Sequence, residues 1–137
     1  MVHLHRLEEV LKDLVGVLHP YKILENKEIY PYEKRKQSTA HVADQDHDKY
    51  YAAAFVGGKS TNFLKMAKVI SEKVNEDERN NIVAKWHDES HLNWYQANNN
   101  FSLLSPELCF DPSYPQLSAL TPKILAVDKN VETLWVR

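Results

Sequence analysis

The spacing of apolar residues predicts a chain in which strands and helices alternate. Near the start, apolar residues recur at steps of three and four, which predicts an amphipathic helix that ends before Pro20. These residues are Leu4, Leu7, Val10, Leu11, Leu14, Val15 and Leu18. Residues 21–31 show no clear period and are interpreted as a loop, and residues 37–42 as a short strand.

The middle of the chain gives a clearer pattern. The apolar run 50–56, closed by Gly57-Gly58, predicts a buried strand followed by a tight turn. Ser60 or Thr61 is expected to cap the next helix. The apolar face predicted for that helix consists of Phe63, Leu64, Ala67, Ile70 and Val74.

The remaining segments complete an α/β layer arrangement in one domain, residues 1–137. Residues 75–81 are interpreted as a charged connector, and residues 88–97 as a helix that three asparagines end. Residues 103–104 and 123–127 are predicted to be short strands on either side of a proline-rich loop.

Composition excludes several classes of function. A chain of 137 residues can bury one core, and a net charge of −2 provides no basic field for nucleic acid. The single cysteine, Cys109, allows no internal disulfide and is expected to be a small buried apolar side chain. No apolar run is long enough to span a membrane, and the first residues do not resemble a signal peptide.

Candidate chemistry is concentrated in residues 86–91, where two carboxylates, two imidazoles and one indole occur together. Asp88 is predicted to cap a helix, which would place Glu89 in its first turn. There the helix dipole favours the charged carboxylate, which suits a nucleophile or a stabiliser of an oxocarbenium-like carbon.

A metal site is an alternative interpretation of the same segment. His87 and His91 are four residues apart and would share one helix face. However, their order differs from the His-Glu-x-x-His pattern of metalloproteases, and no third ligand is evident. From composition alone, a structural role is the default for each histidine.

At this point a family resemblance becomes specific. Residues 86–93, WHDESHLN, resemble the signature of glycosyltransferase family 6, which includes the histo-blood-group A and B transferases and α-1,3-galactosyltransferase. Four further blocks resemble family motifs in the same order. They are Leu18-His19-Pro20, residues 32–38, residues 48–58 (DKYYAAAFVGG), and Ser105-Pro106-Glu107 with Asp111.

The resemblance implies the C-terminal, acceptor-side part of a GT-A type fold, without most of the nucleotide-binding half. It implies a retaining α-1,3-glycosyltransferase that moves galactose or N-acetylgalactosamine from a UDP-sugar to a galactoside acceptor. The family uses Mn²⁺, whose ligands would lie outside this chain. Animal members are anchored in the Golgi membrane and bacterial ones are cytoplasmic. The alternative is a catalytically silent glycan-binding half-domain or a remnant without function.

The resemblance also implies roles for individual residues that stand at positions of the family motifs. Glu89 matches the catalytic glutamate, Asp88 and His87 match donor-sugar contacts, and Trp86 matches an indole that stacks on the acceptor. His19 and Asp111 match positions that bond acceptor hydroxyls. Without the family, His19 would be interpreted as a helix-end histidine and Asp111 as a turn former before proline.

The donor side is less complete. Donor contacts are expected from Ala52, Ala53 and Ala54, and the first and last of these match the positions that discriminate the two sugars, with N-acetylgalactosamine slightly favoured. Lys129 matches the first of two diphosphate-binding cations, but Arg137 stands two residues later than the second. Asp44-Gln45-Asp46 spells the metal-binding DxD motif away from its family position and is interpreted as a solvated loop.

Overall fold

The computed structural model describes residues 10–20, 30–43 and 49–127. Its sheet has three strands, β1 (Leu14–Leu18), β2 (Tyr51–Gly58) and β3 (Ser102–Leu104), in the order β2-β1-β3. The central strand β1 is antiparallel to β2 and parallel to β3. Val17 pairs with Ala52 and the preceding Gly16 pairs with Val56, so residues 53–55 form a bulge on β2.

The sheet is covered on both faces. Helices α1 (Ser60–Arg79) and α2 (His87–Ala97) cover one face. There they bury a cluster made of Leu14, Met66, Leu92 and Tyr95. A short 3-10 helix, Pro106–Cys109, covers the other face, and a second one, Pro115–Leu117, follows it. The cluster under the first 3-10 helix consists of Val15, Val17, Leu104 and Leu108.

Gly16 allows α2 to approach the sheet closely. A side-chain carbon at this position would lie 2.9 Å from the Tyr51 ring and would also overlap the Gln96 amide. The absence of a Cβ atom therefore lets the last turn of α2 rest on β1. Within the described residues, neither α1 nor α2 combines the length and apolar character needed to cross a bilayer.

The predicted N-terminal helix is wrong where the structure describes it. Residues 14–18 form β1, whereas Leu11, which the helical pattern included, is 76% exposed. The sequence LVGVL is a continuous apolar run with two β-branched residues, and burial on both faces favours a strand. Leu4 and Leu7 lie outside the described residues.

Helix α1 begins and ends differently from the prediction. Its N-cap is Lys59, without a side-chain cap bond, and it continues to Arg79 through the predicted connector. The helix face is also rotated, because Met66 is buried whereas Leu64 is 67% exposed. Buried Asp77 explains the extra turn, since its carboxylate has partners far away in the sequence.

Residues 37–42 form turns rather than the predicted strand. The Ser38 hydroxyl donates to Asp77 Oδ2 at 2.6 Å, and the Thr39 amide donates to Asp77 Oδ1 at 2.7 Å. These bonds lower the pKa of Asp77 against the opposing effect of its burial. The buried Asp77 carboxylate thus anchors residues 37–42 to the end of α1 through hydrogen bonds.

A second buried carboxylate fastens the same segment to the chain before α2. The Arg35 guanidinium donates to both oxygens of Glu33, at 2.9 and 2.6 Å, and the Lys85 amide donates at 2.8 Å. Together with the Arg35 amide, these donors lower the pKa of Glu33 to about 2, although burial opposes the shift. Arg35 also donates to the Val83 carbonyl.

The other predicted elements compare as follows. The strand at 50–56, the helix at 88–97 and the strand at 103–104 are confirmed within one or two residues. Gly57 and Gly58 belong to β2 rather than to a turn. Residues 123–127 make a single bridge, between Leu125 and Phe110, instead of a full strand. Residues 21–29 of the predicted loop lie outside the described residues.

Candidate functional site

The site is built around the first turn of α2. Trp86 is the N-cap residue, and its amide donates to the Ser90 hydroxyl at 3.1 Å. Asp88 lies in the first turn and makes no cap bond, so its predicted capping role is wrong. His87 has a φ of 50°, a conformation that L-residues adopt at a cost of about 1 kcal/mol or more.

Each carboxylate oxygen of Glu89 accepts a hydrogen bond, one from the residue just before β2 and one from β2 itself. The Tyr50 hydroxyl donates to Oε1 at 3.0 Å, and the Ala53 amide donates to Oε2 at 3.0 Å. Burial raises the pKa of Tyr50 strongly, and the Glu89 charge and hydrogen bond add to the shift. The phenol therefore remains a proton donor to the carboxylate.

The Ala53 amide is available because β2 is an edge strand of the sheet formed by the described residues. Backbone groups alternate in direction along a strand, and the Tyr50 carbonyl points toward β1, where it accepts from the His19 amide at 2.9 Å. The amides of Tyr51 and Ala53 accordingly face the free edge, which α2 covers. The Tyr50 hydroxyl and the Ala53 amide together hold the Glu89 carboxylate, and these two donors are called the cradle of Glu89.

His19 lies beside this cradle. It follows β1 directly, and its ring centroid is 5.7 Å from that of Tyr50. It is therefore a residue after a strand, and its interpretation as a helix-end histidine is wrong. Tyr50 therefore neighbours His19 through its ring and bonds Glu89 through its hydroxyl.

Tyr50 is held in place by aromatic neighbours. Its ring packs against those of Tyr32, at 5.2 Å between centroids, and Tyr30, at 6.2 Å. The Tyr32 hydroxyl donates to the Lys49 carbonyl. Tyr50 was not among the predicted site residues, although its position at the start of the predicted strand was an available signal.

Cys109 is half-buried and lies two residues before Asp111. Burial raises the pKa of the Cys109 thiol, and the charges of Asp111 and then Glu89 add to the shift. Asp111 also fits its alternative role as a turn former, since its Oδ1 accepts from the Ser113 amide at 2.9 Å and hydroxyl at 2.7 Å.

Asp88 and His87 point to a different region from Glu89. Both line a cavity of about 580 Å³ between the end of α1 and the start of α2. Asp88 also lines a smaller, mainly apolar cavity of about 290 Å³, together with Ala53. Trp86, at the N-cap, is 50% exposed and presents its indole to solvent.

The three alanines differ in exposure. Ala52 is buried against β1, Ala53 is half-buried, and Ala54 in the bulge is exposed. Of the two positions expected to discriminate donor sugars, only Ala54 presents substantial surface. Lys129 and residues 44–46 lie outside the described residues.

The described residues supply no third metal ligand for His87 and His91, and His91 lies near the buried Asp77. His91 is buried, and its Nε2 is 3.7 Å from Asp77 Oδ2, which is too long for a hydrogen bond. Burial lowers the pKa of His91, while Asp77 opposes the shift. Across residues 10–20, 30–43 and 49–127, no three His, Cys, Asp or Glu side chains could hold a metal ion. The described residues therefore offer no set of ligands for the Mn²⁺ that the family resemblance led us to expect.

Comparison with known proteins agrees with the motifs. The model of glycosyltransferase family 6 matches residues 4–137. The chain is similar to globoside alpha-1,3-N-acetylgalactosaminyltransferase 1 of Homo sapiens, with 36% identity over 128 residues. It is also 36% identical over 129 residues to histo-blood group ABO system transferase 2 of Rattus norvegicus, and 33% identical over 123 residues to the O-antigen biosynthesis glycosyltransferase WbnI of Escherichia coli.

These alignments cover most of this chain but only part of each relative. They include 92% of the chain and 37% of the human protein, 92% and 39% for the rat protein, and 90% and 52% for the bacterial protein. The family resemblance inferred from the motifs is thus confirmed for the region described above.

Proposed function

Because the chain belongs to glycosyltransferase family 6, we propose that it carries the catalytic carboxylate and the acceptor side of a retaining α-1,3-glycosyltransferase. The reaction proposed is transfer of galactose or N-acetylgalactosamine from a UDP-sugar to a galactoside. The proposed fold is the corresponding part of a GT-A type domain, consistent with the mixed sheet and two helices.

The observation that carries this proposal is the cradle of Glu89. A carboxylate whose two oxygens are each held by one donor keeps its position when a substrate arrives. During transfer, the bond from the anomeric carbon to the UDP oxygen breaks, and positive charge develops on the sugar. An oriented anion beside that carbon stabilises this charge.

Two courses of the reaction fit this geometry. In one, Glu89 bonds to the anomeric carbon, UDP leaves with the electron pair, and the acceptor oxygen then displaces Glu89. In the other, Glu89 stabilises the charge while the acceptor oxygen attacks from the side that UDP leaves. In both courses the acceptor hydroxyl gives its proton to the departing UDP, whose phosphate oxygen holds the electron pair of the broken bond, and the configuration is retained.

The remaining residues are assigned around this centre. We assign Asp88 and His87 to the donor sugar from their places in the WHDESHLN motif, and Asp88 lines a cavity together with Ala53, whose amide bonds Glu89. The half-exposed Trp86 indole suits stacking on an acceptor pyranose. His19, beside Tyr50, is assigned to acceptor hydroxyls, and Asp111 is assigned to them from its match to the family motif.

Donor preference is proposed from the alanines and the relatives. The small side chains of half-buried Ala53 and exposed Ala54 leave room for an acetamido group, and the human relative is named as an N-acetylgalactosaminyltransferase. We therefore favour UDP-N-acetylgalactosamine over UDP-galactose, with Lys129 assigned to the diphosphate. When bound, Mn²⁺ would neutralise that diphosphate through ligands other than the described residues.

The proposal is tested by a transfer assay with both donors and a β-galactoside acceptor. The chain alone is compared with an extended polypeptide, in which the nucleotide-binding half of the human relative is joined to the N-terminus of this chain. An α-1,3-linked product, identified by mass spectrometry and glycosidase digestion, supports the proposal. Failure of the extended polypeptide to transfer either sugar overturns it.

A second candidate is a glycan-binding region without activity of its own. It is favoured by the half-exposed Trp86 indole, which suits contact with a pyranose ring whether or not transfer follows. Thermal unfolding with added galactoside or UDP separates the two candidates. Stabilisation of the isolated chain by the galactoside alone supports glycan binding, whereas stabilisation by UDP supports the transferase.

A further inference from the structure

Asn93 makes three hydrogen bonds in the interior of the site. It lies on α2 one turn after Glu89 and is 2% exposed. Its Oδ1 accepts from the Tyr51 amide at 2.9 Å. Its Nδ2 donates to the Tyr51 carbonyl at 3.0 Å and to the Glu89 carbonyl at 2.9 Å.

The Asn93 amide occupies the place that another strand would take at the free edge of β2. Both backbone groups of Tyr51 face this edge, and a side-chain amide offers one acceptor and two donors, the complement of those groups. Without Asn93, a buried amide and a buried carbonyl would lose their partner. Leaving such groups unpaired costs about 1–3 kcal/mol each.

The Asn93 side-chain amide also holds the Glu89 carboxylate at a fixed distance from its two donors, the Tyr50 hydroxyl and the Ala53 amide. Tyr51 lies between Tyr50 and Ala53, the two residues that bond the Glu89 carboxylate. Asn93 joins the backbone of Tyr51 to the backbone of Glu89. If this connection loosened, both donors and the carboxylate could move apart.

We propose that Asn93 is a positioning residue for Glu89, through the register that it imposes between α2 and the edge of β2. This inference rests on the proposed function of Glu89, but the geometry that it concerns is measurable without transfer. Asn93 does not contact the reacting sugar. Its contribution is to hold the carboxylate where the Tyr50 hydroxyl and the Ala53 amide can orient it.

Gln96 provides a matched control on the same helix. It is also buried, and it packs beside Gly16 of the same sheet. Neither polar atom of its side chain has a hydrogen-bond partner within the described part of the chain. Truncating Gln96 therefore removes a similar buried volume without removing a bond to β2 or to Glu89.

The test compares Asn93→Ser and Asn93→Asp with Gln96→Ser. Asn93→Ser removes all three bonds, whereas Asn93→Asp retains only the acceptor for the Tyr51 amide. The amide proton of Ala53 is followed by NMR in the isolated chain, with Glu89→Ala as the reference for loss of its bond to the carboxylate. The kcat and KM for transfer are measured in the extended polypeptide.

The expected result has two parts. In both Asn93 variants the Ala53 amide resonance moves toward its position in Glu89→Ala, and it stays in place in Gln96→Ser. The kcat falls by about 100-fold, the scale of a misplacement of about 1 Å, with KM within about threefold. An unchanged Ala53 resonance would overturn the inference, even if the proposed function held.

Three further outcomes are decisive. An equal loss of kcat in Gln96→Ser would assign the effect to general packing and contradict the inference. Unfolding of both Asn93 variants would also contradict it, because Asn93 would then be required by the fold as a whole. Absence of transfer in the unchanged extended polypeptide would contradict the proposed function, while the NMR comparison would still decide the role of Asn93.

Discussion

The Tyr50 hydroxyl and the Glu89 carboxylate are joined by a hydrogen bond of 3.0 Å between the start of β2 and the first turn of α2. The two residues that it joins lie 39 positions apart in the sequence. It also connects the aromatic cluster around Tyr50 to the charged group proposed to act in catalysis. Packing in that cluster therefore controls the orientation of the carboxylate.

Replacing Tyr50 with phenylalanine should reduce transfer while preserving the fold. The substitution removes the donor to Glu89 Oε1 and leaves the Ala53 amide as the remaining one. A hydrogen bond to a charged group is worth about 1.5–3 kcal/mol, so we expect kcat to fall by about tenfold or more. Steady-state kinetics of the extended polypeptide measure this change.

Tyr95→Phe is the matched control, because Tyr95 is a similarly buried tyrosine on α2 without a bond to Glu89. It should retain nearly full kcat. Equal activity of Tyr50→Phe and the unchanged protein would show that the phenol does not orient the carboxylate.

Replacing Glu33 with glutamine should destabilise the protein near neutral pH. The substitution removes the charge that pairs with Arg35, which is half exposed, so screening reduces the effect to about 1–2 kcal/mol. Urea unfolding followed by circular dichroism measures the difference. Glu72→Gln, at an exposed position of α1, should change stability little.

The effect of Glu33 should depend on pH in a defined direction. The folded pKa of about 2 lies below the ordinary value of 4.5, so the stabilisation is present above 4.5 and is lost as the pH falls toward 2. The difference between the unchanged protein and Glu33→Gln should therefore shrink across that window. A constant difference would contradict the assignment.

His91 should make stability fall in mildly acidic solution. Burial keeps its pKa below the ordinary 6.5, with Lys73 adding to the effect, while Asp77, Glu33 and Asp88 oppose it. Below 6.5 the unfolded chain takes up a proton that the folded protein resists, so the free energy of unfolding decreases as the pH falls. Urea titrations across this range should show the decrease.

His91→Gln should remove that part of the pH dependence, because glutamine does not titrate. A decrease of the same size in His91→Gln would assign the effect to other groups.

Replacing Gln96 with leucine should stabilise the protein. Its buried amide has no partner in the described part of the chain, and leucine has a similar size without polar atoms. We expect an increase of about 1–2 kcal/mol in the free energy of unfolding, and a higher melting temperature. A lower melting temperature would indicate that the amide has a partner that the described residues do not include.

The sequence predicted the local features of the site better than its connections. The WHDESHLN motif placed Glu89 in the first turn of a helix, and the helix and the tyrosine-rich strand are present in the structure. Period alone could not distinguish β1 from a helix, because LVGVL is apolar at every position except its glycine. Burial on both faces of the sheet decided the outcome.

Contacts between distant segments were not predictable from one sequence. Asp77 belongs to a charged run that suggests a connector, but its bonds to Ser38 and Thr39 bury it and extend α1. Asn93 lies in the motif at four residues from Glu89, so spacing alone could have suggested that the two side chains share a face. Its bonds to Tyr51 required the tertiary structure.

The most direct test is transfer by Glu89→Gln in the extended polypeptide, compared with the unchanged protein and with Glu72→Gln. Glutamine retains the size of the side chain and removes the negative charge. We expect a loss of about 100-fold or more in kcat, with the melting temperature preserved and Glu72→Gln fully active. Turnover of Glu89→Gln at a rate similar to that of the unchanged protein would contradict the assignment of Glu89 as the catalytic carboxylate.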